Sequence, residues 1–180
     1  MTVTLLAHLI KAPALTGAVA PSSQFLAKAM ADAAQGAAHI IELGAGTGAV
    51  TRVLARQYPD TRLTVVELQS ALAGKLARTY PGTLVHAGPA AELLDQLNDE
   101  GLRVVIVSSL PFRSMPTVAR VETRNSILQF LRRNPGSWLV QFTYQPRAPF
   151  AGEQGFTWKR KRTVVANIPP AGVWTLRATA

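Results

Sequence analysis

Cysteine is absent from this chain of 180 residues. That excludes disulfide staples, thiolate metal sites and a cysteine nucleophile, and it agrees with a cytosolic or bacterial setting. Histidine is nearly as scarce: His8, His39 and His86 stand far apart without ligand spacing, so no metal is expected and each reads as a surface or edge residue. No run approaches the roughly 20 apolar residues that span a bilayer, and there are no internal repeats, low-complexity tracts or linkers. A cleaved signal peptide is not expected, because no basic stretch opens the chain and Lys11 and Pro13 break its first apolar segment. Acidic residues are missing from one half in particular. Residues 1–110 hold 8 Lys/Arg against 8 Asp/Glu, whereas residues 111–180 hold 11 Lys/Arg against Glu122 and Glu153 alone. The net charge of +9 therefore sits in the C-terminal part. Such a surface attracts anionic lipid head groups or nucleic acid, unless it is only the solvated face of a basic protein.

With 48% hydrophobic and 16% charged residues, the composition suits one domain, residues 1–180, with a full core. Its most informative segment runs from His39 through Glu42, Leu43, Gly44, Ala45, Gly46, Thr47 and Gly48 to Arg56, and is answered by an apolar run ending at Glu67. This reads as strand, glycine turn, helix and second strand with a terminal acid, the arrangement that seats an adenosine cofactor. Glycine at 44, 46 and 48 permits positive φ and close approach of a ligand to the main chain. The helix start behind the turn favours a negatively charged or carboxylate-bearing group. Glu67, followed by Leu68, stands where an acid accepts both ribose hydroxyls.

The turn by itself permits a dinucleotide as well, since Gly44, Gly46 and Ala49 fit the Gly/Ala form of that fingerprint. Two features favour S-adenosylmethionine (SAM). Glu42 precedes the turn, where a buried acid repels a pyrophosphate but can pair with an amino group. About 38 residues, including a helix, precede the first core strand.

Periodicity organises the rest. A short apolar helix is expected over residues 4–11. A second opens after Pro21 with Ser22 or Ser23 as cap and Phe25, Leu26, Ala29, Met30 and Ala33 on one face. Strands 39–43, 63–67, 83–86, 102–108 and 137–143 then alternate with helices 49–56, 70–80, 90–98 and 117–131, which predicts a parallel sheet. Residues 155–166 and 172–178 read as strands joined through Asn167, Ile168, Pro169 and Pro170, an antiparallel hairpin. The expected fold is α/β, a Rossmann-like sheet of seven strands, mostly parallel, with an antiparallel C-terminal hairpin and helices on both faces.

The stretch from Glu42 to Gly48 resembles motif I of class I SAM-dependent methyltransferases. Three further segments resemble the bacterial phospholipid N-methyltransferases: residues 17–23 with 26–30, Ser108 to Phe112, and Val140 to Pro146. Asn167 to Ala171, ahead of a final aromatic strand, is similar to that family too, so the likeness covers nearly the whole chain. It implies a cytoplasmic enzyme, peripheral on the inner face of the membrane, that methylates the amine of phosphatidylethanolamine and its methylated derivatives.

On that resemblance, SAM would be held by Glu42, Gly44, Ala45, Gly46, Thr47, Gly48, Glu67, Leu68, Gly88, Pro89, Ala90 and Ser108. The backbone carbonyls of Ser109 and Leu110 would accept amine hydrogens, and the Tyr144 hydroxyl would hold the phosphate or the amine. Phe112 and Tyr144 could stabilise a methylated ammonium by cation–π attraction, and Arg113 belongs to the same substrate and membrane side. Leu5, Leu6, Leu9 and Ile10 with Lys11 form a stripe that can lie among lipid head groups or cover the domain's own core. Lys159 to Arg162 fall within a strand, so their side chains are expected to alternate between faces; they can attract anionic lipid or protect an edge. Trp158 and Trp174 are expected to pack in or beneath the sheet.

Two departures keep other readings open. The rRNA adenine dimethyltransferases share the glycine motif but carry asparagine where this chain has Ser109, and they possess a further helical domain. Where methyltransferases often have an acid that bonds the adenine amino group, this chain has Pro89 between Gly88 and Ala90. An RNA-directed enzyme and a SAM-fold protein without catalysis remain the alternatives.

Overall fold

The computed structural model describes residues 23–97, 99 and 101–179. The expected helix over residues 4–11, with Leu5, Leu6, Leu9, Ile10 and Lys11, lies outside the described residues, as does the segment 17–22.

Among the described residues, seven strands form one sheet in the order β3-β2-β1-β4-β5-β7-β6. They are β1 (His39–Leu43), β2 (Arg62–Val66), β3 (Leu84–His86), β4 (Val104–Ser108), β5 (Trp138–Thr143), β6 (Phe156–Val164) and β7 (Ala171–Ala178). β1 to β5 run parallel, and β7 inserts antiparallel between β5 and β6. The helices are α1 (Gln24–Asp32), α2 (Ala49–Gln57), α3 (Ser70–Thr79), α4 (Ala90–Gln96) and α5 (Thr117–Arg133).

Both faces of the sheet are covered, and the near-continuous apolar runs of β1 and β4 follow from that. Ile40, Val105 and Val107 pack with α1, α2 and α3 residues such as Met30, Leu54 and Leu76. Their neighbours Ile41, Leu43, Val104 and Ile106 turn to the other side, against Leu94 of α4 and Ile127 and Leu128 of α5. The order reverses between β1, which leads to β2 on one side, and β4, which pairs with β1 on the other. Such a switch point, at the strands' carboxyl ends, is where α/β sheets bind ligands.

Four local expectations are corrected. Ser23 caps α1 by accepting from the Leu26 amide, but the buried side of the helix is Leu26, Ala27, Ala29, Met30 and Ala31, and Phe25 is 65% exposed. His39 is fully buried rather than at an edge: Nδ1 meets Asp99 at 2.7 Å and Nε2 meets the Thr64 hydroxyl at 2.8 Å. Burial holds its pKa below the usual value in spite of Asp99. Strand β4 begins at Val104, two residues later than the apolar run from Leu102 suggested. Lys159 to Arg162 are all exposed on edge strand β6, where a register shift between Arg160 and Arg162 breaks strict alternation. Bulge and charge together blunt the edge against pairing with another chain.

Candidate functional site

The glycine turn sits at the switch point. Gly44, Gly46 and Gly48 all take positive φ, at 73°, 56° and 86°, the region only glycine visits freely. The turn is anchored underneath, where the Gly44 and Ala45 amides donate to the Val66 carbonyl at 2.9 and 3.2 Å. A Cβ on Gly44 would meet the Leu110 side chain at 2.7 Å, and one on Gly48 the Leu76 side chain at 2.9 Å. At Gly46 a Cβ would meet nothing within 4 Å among the described residues, so this part of the backbone is left uncovered by them. Gly48 caps α2 without a side-chain acceptor, which leaves the amides of the first turn, beyond Thr47, without a side-chain cap.

Two acids flank the turn and differ in their surroundings. Glu67 is almost fully buried and satisfied, accepting from the Gly46 amide at 2.7 Å and the Gln69 amide at 2.8 Å. It thereby ties the turn to the loop that carries Leu68, a 39% exposed apolar side chain. Glu42 is fully buried, and among the described residues neither of its carboxyl oxygens has a hydrogen-bond partner. Burial pushes its pKa up to about 7, with the Glu67 charge adding to the rise and nearby Thr51 opposing it. The Thr51 hydroxyl faces the acid yet is itself unpaired. A buried acid without donors costs stability unless something supplies them.

On the β4 side, the Ser109 amide donates to the Leu43 carbonyl at 2.9 Å, pinning Ser108 and Ser109 beside the turn. The Ser109 hydroxyl is buried and unpaired. The Leu110 carbonyl, expected to be free for an amine, already accepts from the Phe112 amide at 3.0 Å and from Gln141 Nε2 at 3.0 Å. Both its lone pairs are used, which leaves this carbonyl no free acceptor for an amine; the Leu110 side chain lies against Gly44. Gln141 falls within the 140–146 segment that carries the family resemblance, although the sequence assigns it no role of its own; among the described residues its Oε1 is buried and unpaired.

A cavity of about 260 Å³ opens here, lined by Leu110, Phe112, Arg113, Gln141, Thr143 and Tyr144 among others. Tyr144 stacks edge-on against Phe142, centroids 5.4 Å apart, and remains 40% exposed. Partial burial raises the pKa of its phenol while Asn167 beside it works the other way. Phe112 is buried against Phe150, centroids 5.0 Å apart. The remaining predicted positions, Gly88, Pro89 and Ala90, start α4 at the end of β3. A Cβ on Gly88 would come within 2.7 Å of His86 Nε2, itself buried and unpaired. Trp158 packs edge-on against Phe150, and Arg160 lies over the Trp174 ring. No group of His, Asp and Glu among the described residues could hold a metal ion.

No family model matches the chain. Among curated proteins it is similar to the ornithine lipid N-methyltransferase of Singulisphaera acidiphila, at 29% identity over 173 residues, 88% of this chain and 86% of that protein. Among solved structures it resembles a TehB-like SAM-dependent methyltransferase from Corynebacterium glutamicum, with 15% identity, 96% of each chain covered and a TM-score of 0.61. A putative O-methyltransferase from Klebsiella pneumoniae gives 18% identity, TM-score 0.60, and covers 98% of this chain and 90% of its own. The 23S rRNA methyltransferase ErmE gives 18% identity, TM-score 0.56, and covers 86% of this chain and 67% of its own. The fold is that of the class I methyltransferases.

Proposed function

We propose that this protein is a SAM-dependent N-methyltransferase of lipid amines, acting on phosphatidylethanolamine and its methylated derivatives from a peripheral position on the cytoplasmic face of the membrane. One observation carries the reading. The Leu110 side chain lies against Gly44 and also lines the 260 Å³ cavity, so a cofactor-type turn and an acceptor-sized cavity share a wall. The likeness to an ornithine lipid N-methyltransferase over most of both chains supports a lipid amine as the acceptor. Among the described residues no helix is long and apolar enough to cross a membrane.

The residues present fit SAM. Open space at Gly46 leaves room for a ligand against the backbone, and the unpaired Glu42 carboxyl is suited to an ammonium. Glu67 retains lone pairs beyond its two backbone donors for a ribose, Leu68 offers an apolar surface for a base, and His86 Nε2 can accept from an amino group where Pro89 cannot. When bound, SAM supplies an electrophilic methyl group, so no side-chain nucleophile is required.

The chain's own work is positioning and proton handling. An ammonium must lose a proton before it attacks, and its pKa lies near 10 in water. A cavity walled by Leu110, Phe112 and Phe142 disfavours the charged form by desolvation. The Ser109 backbone carbonyl, next to the cavity, and the unpaired Gln141 Oε1 on its wall are the acceptors that hold the amine's remaining hydrogens and aim its lone pair. Tyr144, at the mouth, holds the head group by its hydroxyl and a methylated product by its ring.

Calorimetric titration with SAM tests the first half of this reading, and absence of binding at millimolar concentration refutes it. For the second half, Tyr144→Phe is expected to keep SAM affinity within about twofold and slow transfer about tenfold, the worth of one hydrogen bond to a charged group. Full activity in that variant removes Tyr144 from the site.

A further inference from the structure

A groove of about 520 Å³ beside the acceptor cavity is lined by Phe112, Arg113, Arg120, Arg147 and Phe150. Phe112, Arg113 and Pro149 line both spaces, so the two adjoin. No ion pair among the described residues engages the groove's cations Arg113, Arg120 and Arg147; the pairs formed engage Lys28, His39, Arg62, Arg124 and Arg132. Glu153 is committed to Arg124 and Arg132, and exposed Glu122 pairs with none of the three. Arg113 gives one N–H to the Ala148 carbonyl at 3.0 Å, which braces the loop after β4 against the loop after β5. Arg120 has a contact of 3.5 Å with the Thr117 hydroxyl. A guanidinium carries five donors, so most donors of this trio lack a protein acceptor. Planar forks of that kind match the oxygens of phosphate and carboxylate.

We propose that the Arg113, Arg120 and Arg147 groove binds the acidic group of the acceptor lipid, the phosphate of an aminophospholipid or the carboxylate of an amino-acid lipid, while the amine of the same head group occupies the adjoining cavity. The inference rests on the lipid-amine reading and adds the chemical class that the acceptor must carry next to its nitrogen. Arg113 was visible in the sequence as part of the substrate side. Arg120 and Arg147 were not, because only the fold brings the start of α5 and the loop after β5 together. Two-point attachment turns the head group so that its amine points inward, and it discriminates against amines without an acid.

The test compares wild type with an Arg120→Gln/Arg147→Gln double variant on three acceptors in uncharged dodecyl maltoside micelles: phosphatidylethanolamine, ornithine lipid and octadecylamine. KM is expected to rise about tenfold or more for an acidic acceptor, given what charge-assisted hydrogen bonds contribute. KM for octadecylamine should stay within about twofold, with SAM affinity and melting temperature unchanged. A rise for one acidic lipid alone identifies phosphate or carboxylate as the bound group. An equal loss on all three acceptors, or no loss on any, overturns the proposal. Calorimetry with glycerophosphoethanolamine separates this inference from the activity. If wild type methylates no lipid but binds that head group through Arg120 and Arg147, the groove stands and the lipid-methylation reading falls; if neither occurs, both fall. If wild type methylates only RNA, and the double variant impairs that reaction, the groove is a nucleic-acid site and the proposal is lost.

Discussion

A Gly46→Val variant is expected to fold and to lose SAM binding altogether. The position has φ of 56°, and a Cβ there meets nothing within 4 Å among the described residues, so the added side chain enters the volume assigned to the ligand. Strain from a β-branched residue in the left-handed region costs on the order of 1–3 kcal/mol, which lowers the melting temperature without unfolding a domain of this size. Gly46→Ala should fall between wild type and valine. Gly44 and Gly48 are poorer tests, since a Cβ there collides with Leu110 or Leu76 and loss of binding would mix with local repacking. Wild-type affinity in Gly46→Val would remove the turn from the site.

Glu42→Gln separates binding from stability in opposite directions. The folded pKa of about 7 against an ordinary 4.5 means that the native state holds a proton the unfolded chain releases. The stability this lends is full below about pH 4.5 and is lost as pH rises to about 7. Glutamine keeps the shape without the charge, so the variant should match wild type at pH 4.5 and exceed it at pH 8 by on the order of 2–3 kcal/mol, measured by urea unfolding without ligand. Binding moves the other way. Pairing with an ammonium needs the carboxylate, so wild-type affinity for SAM should rise between pH 5 and 7 and binding at pH 6 should release a proton. The variant should lose about 100-fold in affinity, the order of a buried charge pair, and its pH dependence. Equal SAM affinity in both proteins would place the ammonium elsewhere.

The strand and helix plan was legible because its signals are local. Strand β1 spans His39–Leu43 as expected because an apolar run meets Gly44, and the hairpin was marked by Asn167 to Pro170. Boundaries drifted where an element's end depends on packing: α4 ends at Gln96 with Leu97 as its C-cap, short of the expected bound, and Leu102 stays outside β4 at 40% exposure. Helix α1 shows the limit of periodicity. A helical wheel places Phe25 beside Leu26, but whether the stripe is centred on one or the other is decided by what the helix packs against. His39 was misread because its partners, Thr64 and Asp99, lie 25 and 60 residues away.

The site divides in the same way. The glycine turn, Glu42 and Glu67 could be named because their meaning lies in a short motif. The Leu110 carbonyl, expected to be free, accepts from Gln141 of β5, a contact across neighbouring strands that spacing cannot show. The Ser109 hydroxyl and Gln141 Oε1 are buried without partners among the described residues, a property visible only when every neighbour is in position. The same holds for Arg120 and Arg147, which carry no motif and line one groove only through the fold.

The most direct test of the account is transfer of a labelled methyl group from SAM in a mixture of phosphatidylethanolamine vesicles and ribosomal RNA. The account predicts label in the lipid fraction, on the head-group nitrogen, and none above background in the RNA. Label confined to RNA, or no transfer to either acceptor by a protein that binds SAM, would contradict it.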